Sequence, residues 1–573
     1  MTGYTASTAF VEALAEAGVS YIFANFGSDH PGLLEALAQA KLDGMRVPAV
    51  ITCPSEFVAM SAADGFARVT GQAQAVVVHV DCGTQSLGGA VHNASRGRCP
   101  VLVFAGTSPA TQEGEEHGSR GEFIHWLQDV FDQRGIVRGY MRYDNELRSA
   151  ANVKQIVHRA LQFAHSAPRG PVYLVAAREV MQRPCERVKL DLAQWQPIAP
   201  AGLSPEAVNV IVDDLLKASR PLIVTSYLGR NPRAPAELAK FAERLGIGVL
   251  ESIPSAMNFP PDHPMHQGIQ WNEPKQNEAL AEADVVLVID SDVPWIPLLN
   301  RPDAHARVHH IDLDVLKEEM PLFYIPAIVR AKADAATALR QLNAALDRRV
   351  FASSADEHRA HWAVRHERIV AGLREAERQP TGEITIPHLM AALRSHLDEN
   401  TIVINESVTS FQPVFQHLGM KWPGSIFTSG AGSLGWNGGA ALGAKLAAPD
   451  KTVIAVTGDG SYMFSQPSVV HWMSRAASAP FLTIVLNNRG WKAPRLSMLS
   501  QYPDGAGSKA NDLGIAFDPP ADYGGIAAAA GGAHASVVKS PDEVLPAIGE
   551  ALRIVRDERR SAVIDVWLPR TNG

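Results

Sequence analysis

Short, unbroken apolar runs alternate along this chain with longer stretches in which apolar residues recur every third or fourth position. The runs include Ser20–Ala24, Ala75–Val80, Val101–Ala105, Pro171–Val175, Pro221–Thr225, Asp284–Asp290, Val308–Leu313, Thr401–Ile404, Thr452–Thr457 and Phe481–Leu486. Runs this short, rich in β-branched residues, predict strands buried on both faces, as in parallel sheets. The stretches between them, such as Gln466–Ser478, predict helices. Strand and helix therefore alternate, which implies α/β architecture with parallel sheets. The alternation breaks at a Pro-rich joint, Gln196–Ser204, and again at a charged helical link, Ser354–Gln379. A chain of 573 residues is too long for one core. The pattern predicts three doubly wound parallel-sheet domains, at 1–185, 200–345 and 380–573.

Composition narrows the partners more than the fold. The chain is 46% hydrophobic and 20% charged with a net charge of −8. A mildly acidic chain without basic blocks argues against nucleic acid. No apolar run reaches the ~18 residues of a membrane span. The N-terminal segment predicts an amphipathic helix carrying Glu12 and Glu16 rather than a signal peptide. Cys53, Cys82, Cys99 and Cys185 lack CxxC spacing and read as reduced thiols in a cytoplasmic protein.

Candidate chemistry concentrates after the run Thr452–Thr457. There the chain reads Gly458-Asp459-Gly460-Ser461, and Asn487-Asn488 follows the run Phe481–Leu486, with Asn488 lying 29 residues beyond Asp459. The intervening helix makes this a βαβ unit, which sets Asp459 and Asn488 at C-terminal strand ends, where open α/β sheets bind ligands. One carboxylate, one amide oxygen and nearby carbonyls form a hard oxygen site for Mg²⁺ that a phosphate would have to complete. Gly460 and Ser461 offer N–H groups and a hydroxyl to that phosphate. The competing reading is an Asp-Gly turn beside a chance Asn pair.

The GDGS…NN pattern resembles the diphosphate and metal signature of thiamine diphosphate enzymes, in particular the acetolactate synthase and benzoylformate decarboxylase group. The spacing here is a couple of residues longer, which implies a small insertion in the connecting helix. The resemblance runs from about Tyr4 to about Pro569 and implies a pyrimidine-binding, a central and a diphosphate-binding domain. Such an enzyme needs a carboxylate to share a proton with the cofactor's aminopyrimidine. Glu56, in Cys53-Pro54-Ser55-Glu56, opens a predicted helix, where a Glu is otherwise a favourable dipole partner. The following AADGFARVTG matches the family segment and assigns Glu56 the catalytic role; Ser55 stands where the family often has His.

The same resemblance carries over further residues. His79, 23 residues beyond Glu56, falls on the active-site histidine of the decarboxylases, where acetolactate synthases have a hydroxylic residue. An imidazole there can act as acid–base or bind a substrate carboxylate; otherwise it is a core histidine. Ser28 falls where the decarboxylase serine contacts substrate. His30 has no counterpart and is either a second acid–base group or a solvated turn residue. In TSGAGSLGWNGGAALGAKL, Gly432 would offer its carbonyl to the pyrimidine amino group and Leu434 would be the apolar wedge that bends the cofactor. Thr409, in the NESVTS segment, is a phosphate contact by the same resemblance. Gly490 would give its carbonyl to the metal, Trp491 joins the cofactor-binding set, and Lys492 and Arg495 could meet an anionic substrate. The stretch Gln501–Pro520 reads as a long loop of the kind that serves as a lid.

Together these imply an enzyme using thiamine diphosphate and Mg²⁺ to decarboxylate a 2-oxo acid, with or without ligation of the product to an aldehyde or ketone. Acetolactate synthase-like or 2-hydroxyacyl-CoA lyase-like activity is the enzymatic alternative. A catalytically silent, cofactor-binding regulatory protein is the alternative of another class. No distinctive flavin signature or CoA adenine site is legible, so FAD stays open without support. The resemblance further implies a homodimer or homotetramer whose cofactor bridges two chains.

Overall fold

The computed structural model describes residues 3–272, 275–349, 354–510 and 513–570. Three six-stranded sheets stand in chain order. The first holds β1 (Tyr21–Ala24), β2 (Ala49–Thr52), β3 (Gln74–Val78), β4 (Val101–Thr107), β5 (Tyr143–Glu146) and β6 (Val172–Ala177). The second holds β7 (Pro221–Thr225), β8 (Gly248–Ser252), β9 (His266–Gln270), β10 (Val285–Ile289), β11 (Arg307–Asp312) and β12 (Val329–Lys332). The third holds β13 (Thr401–Glu406), β14 (Ile426–Thr428), β15 (Thr452–Gly458), β16 (Leu482–Asn487), β17 (His534–Val538) and β18 (Ala562–Trp567). Neighbouring strands pair in parallel throughout these sheets. The central strands β3, β10 and β16 are buried along their whole length, which is why they read as continuous apolar runs.

The first and third sheets share one strand order, β2-β1-β3-β4-β6-β5 and β14-β13-β15-β16-β18-β17. The middle sheet differs. Its order β12-β11-β10-β7-β8-β9 is the arrangement that binds dinucleotides in many proteins, with a switch point between β7 and β10.

Two helices lock the outer domains together. Glu56–Thr70 and Trp436–Ala447 pack backbone to backbone because glycines line the seam. A Cβ on Gly443 would sit 1.9 Å from the Ala62 carbonyl oxygen, and one on Gly65 2.2 Å from that of Ala440. Trp436 Nε1 donates to Asp64 at 2.9 Å, and Arg68, paired with Asp64 at 2.7 Å, also donates to the Ser429 carbonyl.

Two segments depart from the sequence reading. The expected helix Gln466–Ser478 is preceded by a separate one, Asp459–Phe464, with Gln466 at φ 54° between them and Pro467–Ala476 following. The expected loop Gln501–Pro520 contains a helical turn, Ala506–Lys509, and is preceded by the helix Lys492–Gln501. That helix buries no side chain, so its sequence carries no apolar stripe to announce it. Asn511 and Asp512 of this stretch lie outside the described residues.

Candidate active site

Polar side chains gather at the C-terminal edges of both outer sheets. On the first, Ser55 caps the helix Glu56–Thr70 by accepting from Val58 N, so Glu56 occupies the first helical position. Its carboxylate is half-buried and accepts a hydrogen bond from Asn25 Nδ2 at 2.7 Å. Gly83 faces the same oxygen. A Cβ there would lie 3.3 Å from Glu56 Oε1, so glycine keeps the carboxylate uncovered.

His79 directly follows β3 and heads the short helix Val80–Ser86. Its Nδ1 lies 2.6 Å from Asp29 Oδ1 and its Nε2 2.8 Å from Gln128 Oε1. Asp29 is buried and also accepts Val80 N at 3.2 Å and Gly106 N at 2.9 Å. Burial alone would raise the Asp29 carboxyl, but hydrogen bonds from His30 and His79 hold it well below the usual carboxylate range. His79 moves up in turn, chiefly through its bond to Asp29 and against partial burial. His30 is buried, with Nδ1 2.9 Å from Asp29 Oδ1 and the ring against Phe26 and Phe104. It is therefore no solvated turn residue.

Ser28 lies beside this group, its Oγ 3.5 Å from His125 Nε2. His125 Nδ1 accepts N–H groups from Gly121 and Glu122, which leaves the proton on Nε2, directed at Ser28. Burial, then the nearby Arg178 guanidinium, pushes this imidazole down and keeps it neutral. Asn25, Asp29, His125 and Gln128 were not found from the sequence. Gly27 leaves room for the ring they surround: a Cβ there would fall 2.0 Å from His79 Nδ1.

On the third sheet Asp459 begins the helix Asp459–Phe464 directly after β15. Oδ1 accepts Gly460 N at 2.8 Å and Oδ2 accepts Gly490 N at 3.1 Å. Burial nevertheless pushes its carboxyl up to about 6, against the N–H groups of Gly460, Gly490 and Arg489. Asn488 follows β16 by one residue, and Gly490, at φ 156°, turns back toward Asp459. Trp491 lays its ring on Gly460, where any Cβ would meet it at 2.2 Å, and contacts Phe464 and Phe517 edge-on. Ser461 is buried one turn into the same helix. The geometry thus brings Asp459, Gly460, Ser461, Gly490 and Trp491 into one cluster. Lys492 and Arg495 sit on the exposed helix beyond it.

The remaining candidates lie along the neighbouring strand ends. Thr409 sits in a 3₁₀ turn after β13, beside Val408 at φ 47°, a costly conformation for a β-branched residue. Gly432 is exposed and Leu434 half-buried in the loop that Gly435 ends at φ 96°. Asn93 pins this loop to the first domain through Ser433 N (3.2 Å) and O (2.8 Å). Behind it, buried Glu406 accepts from Trp436 N and Asn437 N; burial raises its carboxyl to about 7 despite these donors.

A cavity of about 320 Å³ separates this loop from the middle domain and includes Arg98, Tyr227, Arg230, Trp271 and Asp292 in its lining. The switch point of the middle sheet lacks the glycine-rich dinucleotide turn; β7 is followed by Ser226-Tyr227-Leu228-Gly229. Ion pairs cross it instead: Arg98–Asp292 at 2.8 Å, Lys317–Asp292 at 2.7 Å and Lys317–Asp312 at 2.6 Å.

Three family models match the chain in order: thiamine pyrophosphate enzyme N-terminal TPP binding domain at residues 4–136, central domain at 208–342, and C-terminal TPP binding domain at 407–566. A sulfoacetaldehyde acetyltransferase of Castellaniella defragrans is 24% identical, over 99% of this chain and 94% of its own length. A benzoylformate decarboxylase of Pseudomonas aeruginosa is also 24% identical, over 88% of this chain and 90% of its own. A solved thiamine diphosphate-dependent 4-hydroxybenzoylformate decarboxylase of Rhodococcus jostii shares the fold at a TM-score of 0.78 and 21% identity, covering 99% of this chain and all of that one. With all three domain models matched in order and the paired strand-end clusters they would serve, the chain belongs to the thiamine diphosphate-dependent enzymes.

Proposed function

We propose that this enzyme, holding thiamine diphosphate and Mg²⁺, decarboxylates a 2-oxo acid and can pass the remaining unit to an aldehyde or ketone. The observation that carries the reading is His79, clamped at the end of β3 on the same sheet edge as Glu56. A hydrogen-bond donor is thereby held on the same sheet edge as the carboxylate that would activate the cofactor, which suits decarboxylation of an anionic substrate.

The residues present fit the cofactor. Glu56 is left open by Gly83, and Gly460 leaves room for the Trp491 ring beside Asp459. Among the described residues no group of three or more His, Cys, Asp or Glu is set to hold a metal. A cation at Asp459 would therefore draw on the amide oxygen of Asn488, the carbonyl of Gly490 and the oxygens of a diphosphate, a donor set of the kind Mg²⁺ takes. When bound, thiamine diphosphate supplies a carbon nucleophile and a sink for the electrons released with CO₂. Glu56 would share a proton with the pyrimidine ring, while Gly432 and Leu434 would orient it. Gly460 N, Ser461 and Thr409 would face the diphosphate. Ser28, His79 and His125 would receive the substrate's carboxylate and carbonyl, with His30 supporting from behind Asp29.

Two copies of the chain would complete each site. Glu56 takes its hydrogen bond from the first domain and Asp459 takes its own from the third. Large apolar side chains stand exposed near each half: Phe123, Trp126, Leu127 and Phe131 near His125, and Met463, Phe464 and Trp472 beyond Asp459. Such patches suit a symmetric interface, in a dimer or a dimer of dimers. Among the described residues no helix is long and apolar enough to cross a membrane. The four free cysteines support a cytoplasmic setting.

CO₂ release from a panel of 2-oxo acids, with and without an aldehyde acceptor, tests the reaction. No release from any of them with cofactor and Mg²⁺ present overturns it. Sedimentation tests the assembly; a fully active monomer rules out the bridged site.

A further inference from the structure

Deepening that reading, and resting on it for the reaction, we infer that Asp29 is a positioning residue which holds His79 in the active site as an imidazolium, so that Nε2–H is a standing donor for an anionic substrate oxygen. Both ring nitrogens face acceptors, Asp29 Oδ1 at 2.6 Å and Gln128 Oε1 at 2.8 Å. A neutral imidazole has one donor and one lone pair, and the lone pair would meet an oxygen at one of these contacts. The Gln128 side-chain oxygen is the atom turned to Nε2, and the backbone carbonyl of the same residue is held by Ser108 Oγ. Its oxygen therefore stands where a carboxylate oxygen of the substrate would take the same proton donor.

Asp29 is fixed more firmly than a surface partner would be. Oδ2 is held by Val80 N and Gly106 N, from the ends of β3 and β4, while Oδ1 faces His79 and His30. Two glycines make the room: a Cβ on Gly106 would lie 2.2 Å from Asp29 Oδ2, and one on Gly27 2.0 Å from His79 Nδ1. Val80 holds φ 33°, a strained angle for a β-branched residue, and its N–H is the one Asp29 takes. The strain thus aims the backbone after His79 at Asp29.

The groups around the ring are Asp29 and His30 behind it, Asp81 and Cys82 on the helix after it, and His125 on the loop in front, with Arg178 beyond Ser28. Asp29 and His30 share the buried side. His30 Nδ1 also lies 2.9 Å from Asp29 Oδ1, but it accepts Gly27 N at 3.0 Å, and only His79 has a second acceptor.

The test reads His79 directly by ¹³Cε1-edited NMR titration of the cofactor-free protein, with His79→Gln assigning the signal. In the wild type the ring should stay protonated above the ordinary ~6.5. Asp29→Asn turns an N–H₂ toward Nδ1 and should lower the midpoint by about one unit or more. Gln128→Leu, on the loop, should lower it by less. The basic limb of the kcat profile should follow the midpoint in each variant, with thiamine diphosphate affinity unchanged. A wild-type midpoint at or below the ordinary value overturns the inference, as does an unmoved midpoint in Asp29→Asn. Should Asp29→Asn fail to fold, an unmoved midpoint in Gln128→Leu overturns it equally. If the midpoints behave as stated and no 2-oxo acid is decarboxylated, the proposed reaction fails while the pairing of Asp29 with His79 stands.

Discussion

The first and third domains are built on the same strand order, yet the residue that follows the third strand of each is His79 in one and Asp459 in the other. Each stands at the start of a short helix on a buried sheet edge. The two buried aspartates of these edges sharpen the contrast. Asp29 and Asp459 each accept two backbone N–H groups. Asp29 lies far below the ordinary carboxylate range and Asp459 is pushed up to about 6. Backbone donors are alike at both, so the difference lies in the side chains: the His79 imidazole donates to Asp29, and no side-chain cation is hydrogen-bonded or ion-paired to Asp459 among the described residues. One topology thus carries a carboxylate paired with an imidazole at one edge and a carboxylate held by backbone N–H groups at the other. The metal proposed at Asp459 rests on the chemistry of the oxygen donors around it.

The largest expected effect comes from the carboxylate on the first edge, Glu56. Glu56→Gln cannot share a proton with the pyrimidine ring, so turnover should fall by at least about 10³-fold with cofactor binding retained. Activity within tenfold of wild type would take Glu56 out of the role. The comparison itself is broken or kept by the next pair. His79→Ala should cut kcat by roughly 10²–10⁴-fold and leave thiamine diphosphate affinity intact. Asp459→Ala should do the reverse, losing Mg²⁺ and cofactor affinity together by about 10²-fold or more, because each ligand tightens the other by the same factor. Calorimetric titration of cofactor with Mg²⁺ and with EDTA decides the second. Equal affinities under the two conditions would reduce Asp459 to a structural turn.

How far the sequence foretold this contrast follows from where the information sits. Strands such as β10 and β16 are apolar at every position because both faces are covered, so local composition alone announces them. Asp459, Gly460 and Asn488 were legible because a βαβ unit places strand ends next to each other by simple connectivity. Asp29 was not, since its partners lie 50 residues away at His79 and 77 away at Gly106. Nothing local marks a carboxylate whose partners come from the ends of two other strands. His125 and Gln128 escaped for a related reason: the helix there, Ile124–Leu127, is too short to show periodicity, and only its approach to Ser28 and His79 gives them a role. Asp29's neighbour His30, read as an open choice, was settled on one side by burial.

The seam between the two edges offers a smaller effect. Gly443→Ala would drive a Cβ to 1.9 Å from the Ala62 carbonyl, where backbone on both sides leaves nothing to yield. Overpacking of this kind costs about 1–3 kcal/mol, and the helix carrying Glu56 should shift with it. Lower thermal stability with weakened cofactor binding is expected. A variant as stable as wild type would show that the outer domains are held elsewhere.

The smallest effect concerns pH. Asp29 is depressed in the folded protein, so its contribution is present above its unfolded value of about 3.9 and lost as pH falls through the folded one. His79 is raised, so its contribution is present below about 6.5 and lost as pH rises through its folded value. The ion pair therefore contributes fully only between those two unfolded values. The thermal midpoints of wild type and Asp29→Asn, scanned at one rate, should differ most in that window, by about 2–4 °C, and converge on either side. A difference that stays constant from acid to alkaline pH would mean that Asp29 serves the backbone N–H groups of Val80 and Gly106 alone. The contrast with Asp459 would then lie in burial and not in charge.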